Sequence, residues 1–543
     1  MTGAAPATEH NLAALHEAIA ATIPERDCIV WRDRRLSWAE VTDRTRRLAQ
    51  VLLEAGLGAH RRLADGAPWE SPHDQVALYL HNGNEYLEGM LGAAKARCAA
   101  INVNYRYVAD ELRYVLADSA ATAVIFHGAF AKTLAAVLPD LPAVTLLLQV
   151  DDDSGAPLLP GAVAYETALA AVEPRPPVEL SPDDLYILYT GGTTGMPKGV
   201  LWRQADFLAT CLGIHQPLEV LIAQAAGATL RNLPAPPFMH GAAHWNAISG
   251  WLAGGTVVIQ DDPRRLDPED ILATVARHDV TSLLIVGDAF ARPLVEALRA
   301  GHRELPTLRF LLTGGAILSA VVKDELLALL PHLRIVDVLG SSETGRQGVN
   351  RSDTGRGTAA GFAPSSTAGV LSADLSRVLA PGDAELGWLT QTGRVPLGYL
   401  GDPDKSARTF LLIDGERHAV AGDRARLLAD GSIELHGRDS VTINTGGEKV
   451  FAEEVEQALK RHPAVFDVLV VGRPSERWGQ EIVAVVQMRP ATAATDDELR
   501  MTVRQHLAAY KAPKVVVRVD RVERSPSGKP DYGWAAAVAT DSV

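Results

Sequence analysis

A segment rich in glycine and threonine, YTGGTTGMPKGV, runs from Tyr189 to Val200 and follows an apolar stretch typical of a strand. Its glycines let backbone N–H groups approach an anion, its threonine hydroxyls add hydrogen-bond donors, and Lys198 supplies a positive charge. The segment differs from a Walker A loop, because Pro197 and not glycine directly precedes the lysine. The pattern therefore predicts a phosphate-binding loop and disfavours a P-loop kinase or GTPase.

The full string resembles the phosphate loop of the adenylate-forming superfamily, which includes acyl-CoA synthetases, luciferases and the adenylation domains of peptide synthetases. The resemblance continues in the same order over nearly the whole chain, from the helix at Trp38 to Lys529. It implies that the loop binds the phosphates of ATP. The residues assigned to this contact are Thr190, Gly191, Gly192, Thr193, Thr194, Gly195 and Lys198.

Two later segments resemble the nucleotide-binding parts of these enzymes. LLTGGAIL is similar to the adenine-side loop, where small residues let the nucleotide lie against backbone, although alone it would be an ordinary strand-to-helix turn. DVLGSSETG is similar to the family's element aromatic-Gly-x-Thr-Glu, which borders the nucleotide. Leu339 replaces the usual aromatic residue, so we expect apolar contact with adenine in place of stacking. The residues assigned in this way are Gly314, Gly315, Ala316, Gly340, Ser341 and Ser342.

Four charged residues also match positions that contact the nucleotide or its metal ion in the adenylate-forming enzymes. Glu343 matches the magnesium ligand, and a carboxylate suits this hard cation beside phosphate oxygens. Asp423 in AVAGDRARL matches an aspartate that accepts hydrogen bonds from both ribose hydroxyls, whereas alone it would be a turn residue. Arg438 is implied to lie near the ribose and phosphate. Lys529 in SPSGKPDY matches the lysine that reaches the carboxylate and the α-phosphate, whereas alone it would be a solvated lysine.

The segment HGRDSVTINTGGEKV resembles the hinge between the two domains of these enzymes. The resemblance implies that Asp439 is the pivot about which a small domain rotates between adenylation and thioester formation. It also implies that Gly446, Gly447 and Glu448 line the channel for the pantetheine of coenzyme A. A charged linker without a special role is the alternative interpretation of this segment.

The segment LPAPPFMHGAAHW resembles the part of these enzymes that borders the carboxylic acid substrate. His240 matches a family position near the acyl carboxylate, and a purely structural histidine is an equally open alternative. His244 follows at i+4, but a metal pair is disfavoured because no third ligand is evident. The small residues 241–243 favour a wide apolar acid over acetate. The residues assigned as catalytic are Lys529, Glu343, Thr190 and His240.

The strings LHNGNEYLEGMLGAAKARCAAINVNYRY, LGSSETG, VTINTGGEKVFAEEVE and GRPSERWGQE resemble actinobacterial long-chain and steroid side-chain acyl-CoA synthetases. This resemblance implies an AMP-forming acid–thiol ligase of lipid metabolism that uses ATP, Mg²⁺ and coenzyme A. The implied substrate is a steroid side-chain acid or a long-chain fatty acid. The alternatives are a medium-chain fatty acid CoA ligase, an enzyme that loads a carrier protein, and a nucleotide-binding protein without catalysis. Glu343 and Lys529 disfavour the last of these.

Composition and charge restrict the partners. The net charge is -14 and no basic stripe is evident, so nucleic acid is not an expected partner. The three cysteines, Cys28, Cys98 and Cys211, are far apart and predict neither a disulfide framework nor a zinc site. No apolar run is long enough to span a bilayer and the first residues lack a secretory signal pattern, so we expect a cytoplasmic protein. The sequence leaves a homodimer open.

The elements expected to position these residues are those of an α/β protein. Apolar segments such as VALYL, TAVIF, TLLLQV and SLLIV alternate with helical stretches, as buried parallel strands do. Ser37 and Glu40 form a capping-box pattern that predicts the start of a helix. The length of 543 residues favours more than one domain. We predict the adenylate-forming fold, with a large multi-subdomain α/β domain at 1–438 that binds ATP and acid and a small mobile α+β domain at 439–543 that carries Lys529.

Overall fold

The computed structural model describes residues 8–192, 195–301, 304–355, 361–438, 441–445, 448–475 and 479–542. The chain forms two compact units. The first consists of Met1–Leu284, Ser341–Arg346 and Gly393–Ala419, and the second consists of Ile285–Gly340, Gln347–Thr392 and Val420–Val543. The second unit therefore contains the predicted small domain together with parts of the chain before residue 438. The predicted domain boundary at residue 438 stays a prediction.

Helices and strands alternate through most of the described chain up to residue 329, and strands predominate between residues 334 and 451. The helices are α1 (Leu12–Thr22), α2 (Trp38–Glu54), α3 (Asn84–Lys95), α4 (Ala109–Asp118), α5 (Ala131–Val137), α6 (Tyr165–Ala170), α7 (Gln204–Leu212), α8 (Leu218–Gly227), α9 (Gly241–Leu252), α10 (Pro268–Arg277), α11 (Gly287–Gly301), α12 (Ala320–Leu329), α13 (Pro403–Thr409), α14 (Ala452–Leu459), α15 (Asp496–His506) and α16 (Tyr532–Asp541). Within the described parts of the chain, no helix is both long enough and apolar enough to cross a membrane.

The strands include those predicted from the apolar segments. They are β1 (Asp27–Trp31), β2 (Arg34–Ser37), β3 (Gln75–Tyr79), β4 (Ala99–Asn102), β5 (Ala121–His127), β6 (Leu146–Val150), β7 (Val163–Ala164), β8 (Leu185–Gly192), β9 (Gly195–Arg203), β10 (Arg231–Pro234), β11 (Thr256–Ile259), β12 (Ser282–Ile285), β13 (Phe310–Gly314), β14 (Arg334–Ser341), β15 (Gly345–Ser352), β16 (Ala363–Pro364), β17 (Ala368–Leu371), β18 (Gly387–Thr392), β19 (Gly398–Tyr399), β20 (Phe410–Ile413), β21 (Glu416–Ala419), β22 (Asp423–Leu427), β23 (Ile433–Arg438), β24 (Thr442–Thr445), β25 (Glu448–Phe451), β26 (Val465–Ser475), β27 (Gly479–Met488) and β28 (Val515–Val519).

The first unit contains parallel sheets, as the continuous apolar strands predict. One sheet has the order β4-β3-β5-β6-β7 and is parallel throughout. A second group has β12, β10, β11 and β1 in parallel, with β2 antiparallel to β1. The antiparallel strands β19, β9 and β8 form a smaller sheet. Helix α2 begins with the predicted capping box, since Ser37 Oγ accepts a hydrogen bond from the Glu40 N–H and Glu40 Oε2 accepts one from the Ser37 N–H.

The second unit contains the predicted α+β portion. Strands β25, β24, β27 and β26 are antiparallel, and β28 joins β27 in parallel. Both faces of β26 and β27 are covered: Val468 and Val470 pack in one apolar cluster with α14 and α15, and Leu469 packs in another with α16. Strands β17, β18, β22 and β23 form a separate antiparallel group. Parallel strands β13 and β14 also belong to this unit.

Candidate active site

The predicted phosphate loop forms a β-hairpin in the first unit. Strands β8 and β9 pair antiparallel, with Thr190 opposite Lys198 and Gly192 opposite Gly195. The assigned residues Thr193 and Thr194 lie outside the described residues, and only the backbone is described for Gly191, Gly192 and Gly195. The hairpin thus brings a hydroxyl-bearing residue and a cationic residue of the predicted loop to the same register position.

Lys198 is paired with an aspartate that the sequence did not point to. Lys198 Nζ lies 3.0 Å from Asp118 Oδ1, and the Tyr189 hydroxyl donates to Asp118 Oδ2 at 2.8 Å. Asp402 Oδ2 lies farther away, 3.9 Å from Nζ. Burial alone would lower the pKa of Lys198, but hydrogen bonds with Asp118 and Tyr114 outweigh burial and raise it. Lys198 is therefore charged at neutral pH and is held by Asp118 near the turn of the hairpin.

Asn102, at the end of β4, connects the hairpin to the segment that carries His240. Its Nδ2 donates to the carbonyl oxygens of Tyr189 at 2.8 Å and Met239 at 2.7 Å. Its Oδ1 accepts a hydrogen bond from the Tyr189 N–H at 2.8 Å. One carboxamide thus fixes two stretches of backbone, one predicted to contact phosphate and one predicted to contact the acid.

Glu343 lies in a tight turn beside the hairpin. The Glu343 N–H donates to Ser341 Oγ at 3.3 Å, and Trp202 Nε1 donates to the Ser342 carbonyl at 2.9 Å. The Tyr399 hydroxyl donates to Glu343 Oε1 at 3.0 Å, and the backbone of Tyr399 pairs with Val200 of the hairpin. A carboxylate is thereby brought next to the predicted phosphate-binding strands.

The fit of Glu343 to a magnesium ion follows from its surroundings. The side chain is half-buried, and no cluster of three or more potential metal ligands occurs among the described residues. Mg²⁺ commonly uses one or two protein carboxylates and takes its remaining ligands from phosphates and water. Glu343 therefore fits a cation that is shared with bound phosphates and does not fit a site built from protein ligands alone.

The histidines of the acid segment occupy different environments. His240 precedes α9 directly, and His244 lies in its first turns. His244 Nδ1 lies 2.6 Å from the Phe238 carbonyl, its Nε2 contacts the Tyr186 hydroxyl, and Trp245 Nε1 donates to that hydroxyl at 2.7 Å. Both ring nitrogens of His244 are thus engaged, and burial lowers its pKa to about 4. His244 is therefore a neutral histidine with a structural role, since both of its ring nitrogens contact protein groups.

The glycine at position 241 does not widen the acid pocket as expected. A methyl group added at Gly241 would come within 2.9 Å of Leu188 Cδ2. Ala243 is fully buried in the core. Gly241 therefore serves close packing between α9 and β8, because the Leu188 side chain already fills the adjacent space. The expectation of a wide apolar pocket receives no support from this residue.

In the second unit, the adenine-side loop (residues 314–316) lies beside Lys529. Gly314 ends β13, and Gly315 adopts a left-handed conformation with φ of +78°. A methyl group added at Gly315 would lie 3.7 Å from Lys529 Cε. Two elements that lie more than 200 residues apart in the sequence, both assigned to the nucleotide from the resemblance, are therefore neighbours in space.

The residues assigned to the ribose also come together. Asp423 and Arg438 are opposite each other in the antiparallel pair β22 and β23, although only the backbone of Arg438 is described. Leu339 is buried in an apolar cluster with Val370 and Ile433. The assigned residues Asp439, Gly446 and Gly447 lie outside the described residues, and the side chain of Glu448 is not described.

Solved structures of known proteins share the fold of this chain. The anthranilate CoA ligase AuaEII, solved in complex with anthranoyl-AMP, superposes with a TM-score of 0.83 over 98% of each chain at 18% identity. A MatB from Rhodopseudomonas palustris with ATP bound gives a TM-score of 0.79 at 23% identity, over 97% of this chain and 99% of the other. The chain has the adenylate-forming fold.

The sequence comparisons then identify the family. The family model of the AMP-binding enzymes matches residues 16–393, and that of the AMP-binding enzyme C-terminal domain matches residues 454–529. The medium-chain acyl-CoA ligase Mig of Mycobacterium avium is 48% identical over 98% of this chain and 99% of its own. The 3-oxocholest-4-en-26-oate–CoA ligase of Rhodococcus rhodochrous is 38% identical, over 97% of this chain and 95% of its own. This chain belongs to the AMP-binding enzyme family.

These findings confirm the predicted family, the predicted fold and the predicted class of enzyme, an AMP-forming acid–thiol ligase. The roles assigned to individual residues stay predictions. Four residues near the assigned ones were missed by the sequence reasoning: Asn102, Asp118, Trp202 and Tyr399. Each contacts an assigned residue, or for Asn102 the residues directly before Thr190 and His240, from a distant position in the sequence, so no local pattern predicts these contacts.

Proposed function

We propose that this chain is an ATP-dependent acyl-CoA synthetase that activates a bulky hydrophobic carboxylic acid. The observation that carries the proposal is the position of Tyr399. Its backbone pairs with the phosphate hairpin and its hydroxyl contacts Glu343, so a carboxylate suited to magnesium lies beside strands suited to phosphate. A metal-binding carboxylate beside a phosphate-binding loop is the arrangement that transfer of an adenylyl group from ATP requires.

In the first half-reaction, a carboxylate oxygen of the acid attacks the α-phosphorus of ATP. The bond from that phosphorus to the pyrophosphate oxygen breaks, which gives acyl-AMP and pyrophosphate. Thr190 and Lys198 bind the departing pyrophosphate. Lys529 neutralises the negative charge that builds up around the α-phosphorus. Glu343 would hold Mg²⁺, and the cation, when bound, would screen the negative charge of the triphosphate.

In the second half-reaction, the thiol of coenzyme A attacks the acyl carbonyl carbon. The thiol proton is lost, a carbon–sulfur bond forms, and AMP leaves with the electrons of the former carbon–oxygen bond. Neither half-reaction needs a covalent bond to the protein, so the side chains act through alignment and charge. Asp423 and Arg438 hold the ribose throughout, and Gly446, Gly447 and Glu448 line the path of the pantetheine.

The acid is proposed from the relatives. One relative is named for medium-chain acids and another for 3-oxocholest-4-en-26-oate, and both names describe a carboxylate on a large apolar body. We therefore propose a medium- or long-chain fatty acid or a steroid side-chain acid as substrate. The 48% identity to the medium-chain ligase favours a medium-chain fatty acid as the first acid to test.

The purified protein should be incubated with ATP and Mg²⁺ and with acetate, octanoate, palmitate or a steroid side-chain acid, with and without coenzyme A. We expect acid-dependent pyrophosphate release and a thioester only when coenzyme A is present. Pyrophosphate release without a thioester would support the loading of a carrier protein. A preference for acetate over every larger acid would contradict the proposed substrate class.

We also propose that the enzyme acts in the cytoplasm on small molecules and not on nucleic acid. The net charge of -14 supports the second part, because it opposes binding to a phosphate backbone. A homodimer is compatible with the proposal. Light scattering coupled to gel filtration measures the oligomeric state directly.

A further inference from the structure

Asp288, in the first turn of α11, fixes the chain that follows the adenine-side loop. It is 2% exposed. Its Oδ1 accepts a hydrogen bond from the Ser319 N–H at 2.8 Å, and its own N–H donates to the Ile317 carbonyl at 3.1 Å. These two bonds hold the backbone that leaves Gly315, so Asp288 sets where this loop lies relative to α11.

The same carboxylate faces buried cations on its other side. Lys460 Nζ, which follows α14, lies 3.4 Å from Asp288 Oδ2. Arg292 Nη2, one helical turn further along α11, lies 3.7 Å from the same oxygen. Lys460 Nζ is also 3.6 Å from Asp467 Oδ1. All four side chains are less than a tenth exposed, so water contributes little to stabilising their charges and the ion pairs matter correspondingly more.

From Asp467 the network continues to the turn that carries Lys529. Arg524 Nε and Nη2 donate to the two oxygens of Asp467 at 2.7 and 2.8 Å. Burial opposes the charged form of Asp467, but Lys460 and Arg524 outweigh it and lower the pKa of Asp467 to about 2. Arg524 Nη1 donates to the Gly528 carbonyl at 3.2 Å. The Arg524 guanidinium thus forms a bidentate pair with Asp467 and also binds the backbone of Gly528, the residue directly before Lys529.

The turn from Ser525 to Lys529 is itself rigid and lies against α11. The Ser525 N–H donates to the Lys529 carbonyl at 2.9 Å, and the Lys529 N–H donates to Ser525 Oγ at 3.1 Å. A methyl group added at Gly528 would lie 3.2 Å from the side chains of Ala289 and Phe290, the residues that follow Asp288. The turn therefore touches the same part of α11 from which Asp288 extends.

We propose that Asp288 is a positioning residue for the first half-reaction. Its negative charge, acting through Lys460, Asp467 and Arg524, holds the Lys529 turn beside the adenine-side loop. All of these residues belong to the second unit. The inference rests on the proposed role of Lys529 in adenylation. In the proposed mechanism Lys529 acts only at the α-phosphorus, so conversion of a preformed acyl-adenylate is expected not to depend on Asp288.

Asp288→Asn removes the negative charge but keeps the hydrogen bond. The amide oxygen of asparagine still accepts from the Ser319 N–H, whereas the electrostatic attraction for Lys460 is lost. Acid-dependent exchange of pyrophosphate into ATP measures the first half-reaction. Thioester formation from supplied acyl-AMP and coenzyme A measures the second. We expect the first rate to fall by about 10- to 100-fold, as for a reacting group displaced by about 1 Å, and the second to change by less than about twofold. Asp324→Asn, at an exposed site on α12, is the matched control and should leave both rates unchanged.

A second variant keeps the test independent of any general effect of Asp288→Asn on folding. Lys460→Gln should reduce the exchange rate to a similar degree, and the double variant should lose little more than either single one, since both remove the same ion pair. Additive losses, or equal losses in both half-reactions, would overturn the inference. A parent protein without either half-reaction would instead contradict the proposed function.

Discussion

Replacement of Tyr399 by phenylalanine tests whether Glu343 is a magnesium ligand that its neighbour orients. Tyr399 is 3% exposed, and its ring contacts Phe410 at 5.6 Å between centroids, a contact that phenylalanine retains. The substitution therefore removes chiefly the hydroxyl and its 3.0 Å hydrogen bond to Glu343 Oε1. A hydrogen bond to a charged group contributes about 1.5–3 kcal/mol, and Glu343 is only half-buried, which places the expected loss at the lower end of that range.

A loss of about 1.5 kcal/mol corresponds to a change of about tenfold in an equilibrium constant. Loss of a partner that orients a metal ligand lowers metal affinity or activity by about 10- to 100-fold, which agrees with this value. We therefore expect Tyr399→Phe to raise the Mg²⁺ concentration for half-maximal pyrophosphate exchange about tenfold, with an unchanged rate at saturating Mg²⁺. The assay is a Mg²⁺ titration at saturating ATP and acid.

The control for this titration is Tyr510→Phe, at a tyrosine that is 41% exposed. It should leave the Mg²⁺ dependence unchanged. If Tyr399→Phe gave the same Mg²⁺ midpoint as the parent protein, the hydroxyl would not orient a metal ligand and Glu343 would lose its assigned role.

Three further substitutions or conditions give separate tests. Lys529→Ala should slow pyrophosphate exchange by about 10²- to 10³-fold but leave thioester formation from supplied acyl-AMP intact, and equal loss in both assays would contradict the assignment. Burial lowers the pKa of His244 to about 4, so its neutral form stabilises the fold at neutral pH. That contribution is lost as the pH falls below about 6.5 towards 4, and calorimetry should show a lower Tm at pH 5 than at pH 7, with a smaller difference in His244→Asn. Gly241→Ala should lower the free energy of unfolding by about 1–3 kcal/mol in denaturant titrations, because the new methyl group would crowd Leu188, and an unchanged midpoint would show that the space is free.

Much of the fold follows from local sequence patterns. The apolar segments became buried parallel strands, and the Ser37–Glu40 pattern became a capping box, because each depends on residues only a few positions apart. The order of the motifs along the chain was enough to indicate the family. At the phosphate loop the sequence predicted only a strand followed by a loop, whereas the structure has a β-hairpin in which Thr190 is opposite Lys198.

The partners of the assigned residues could not be predicted in the same way. Asp118 precedes Lys198 by 80 residues, and Tyr399 follows Glu343 by 56, so only the packing of distant elements brings them together. The space expected beside Gly241 is occupied for a related reason. A glycine in the sequence shows that a side chain is missing at that position, but it does not show whether a side chain from a distant element fills the volume. The Leu188 side chain projects from strand β8 and occupies that volume.

The carboxamide of Asn102 ties the backbone of Tyr189 to that of Met239. The segment before α9 is predicted to contact the acid, so a shift of α9 that admits a different acid would pull on β8, the first strand of the predicted phosphate-binding hairpin. Changes of acid preference and changes of apparent ATP affinity should then arise together when the start of α9 is altered. Redesign of the acid specificity is better begun at side chains that project from the later turns of this helix, where the rigid link to the nucleotide side does not reach.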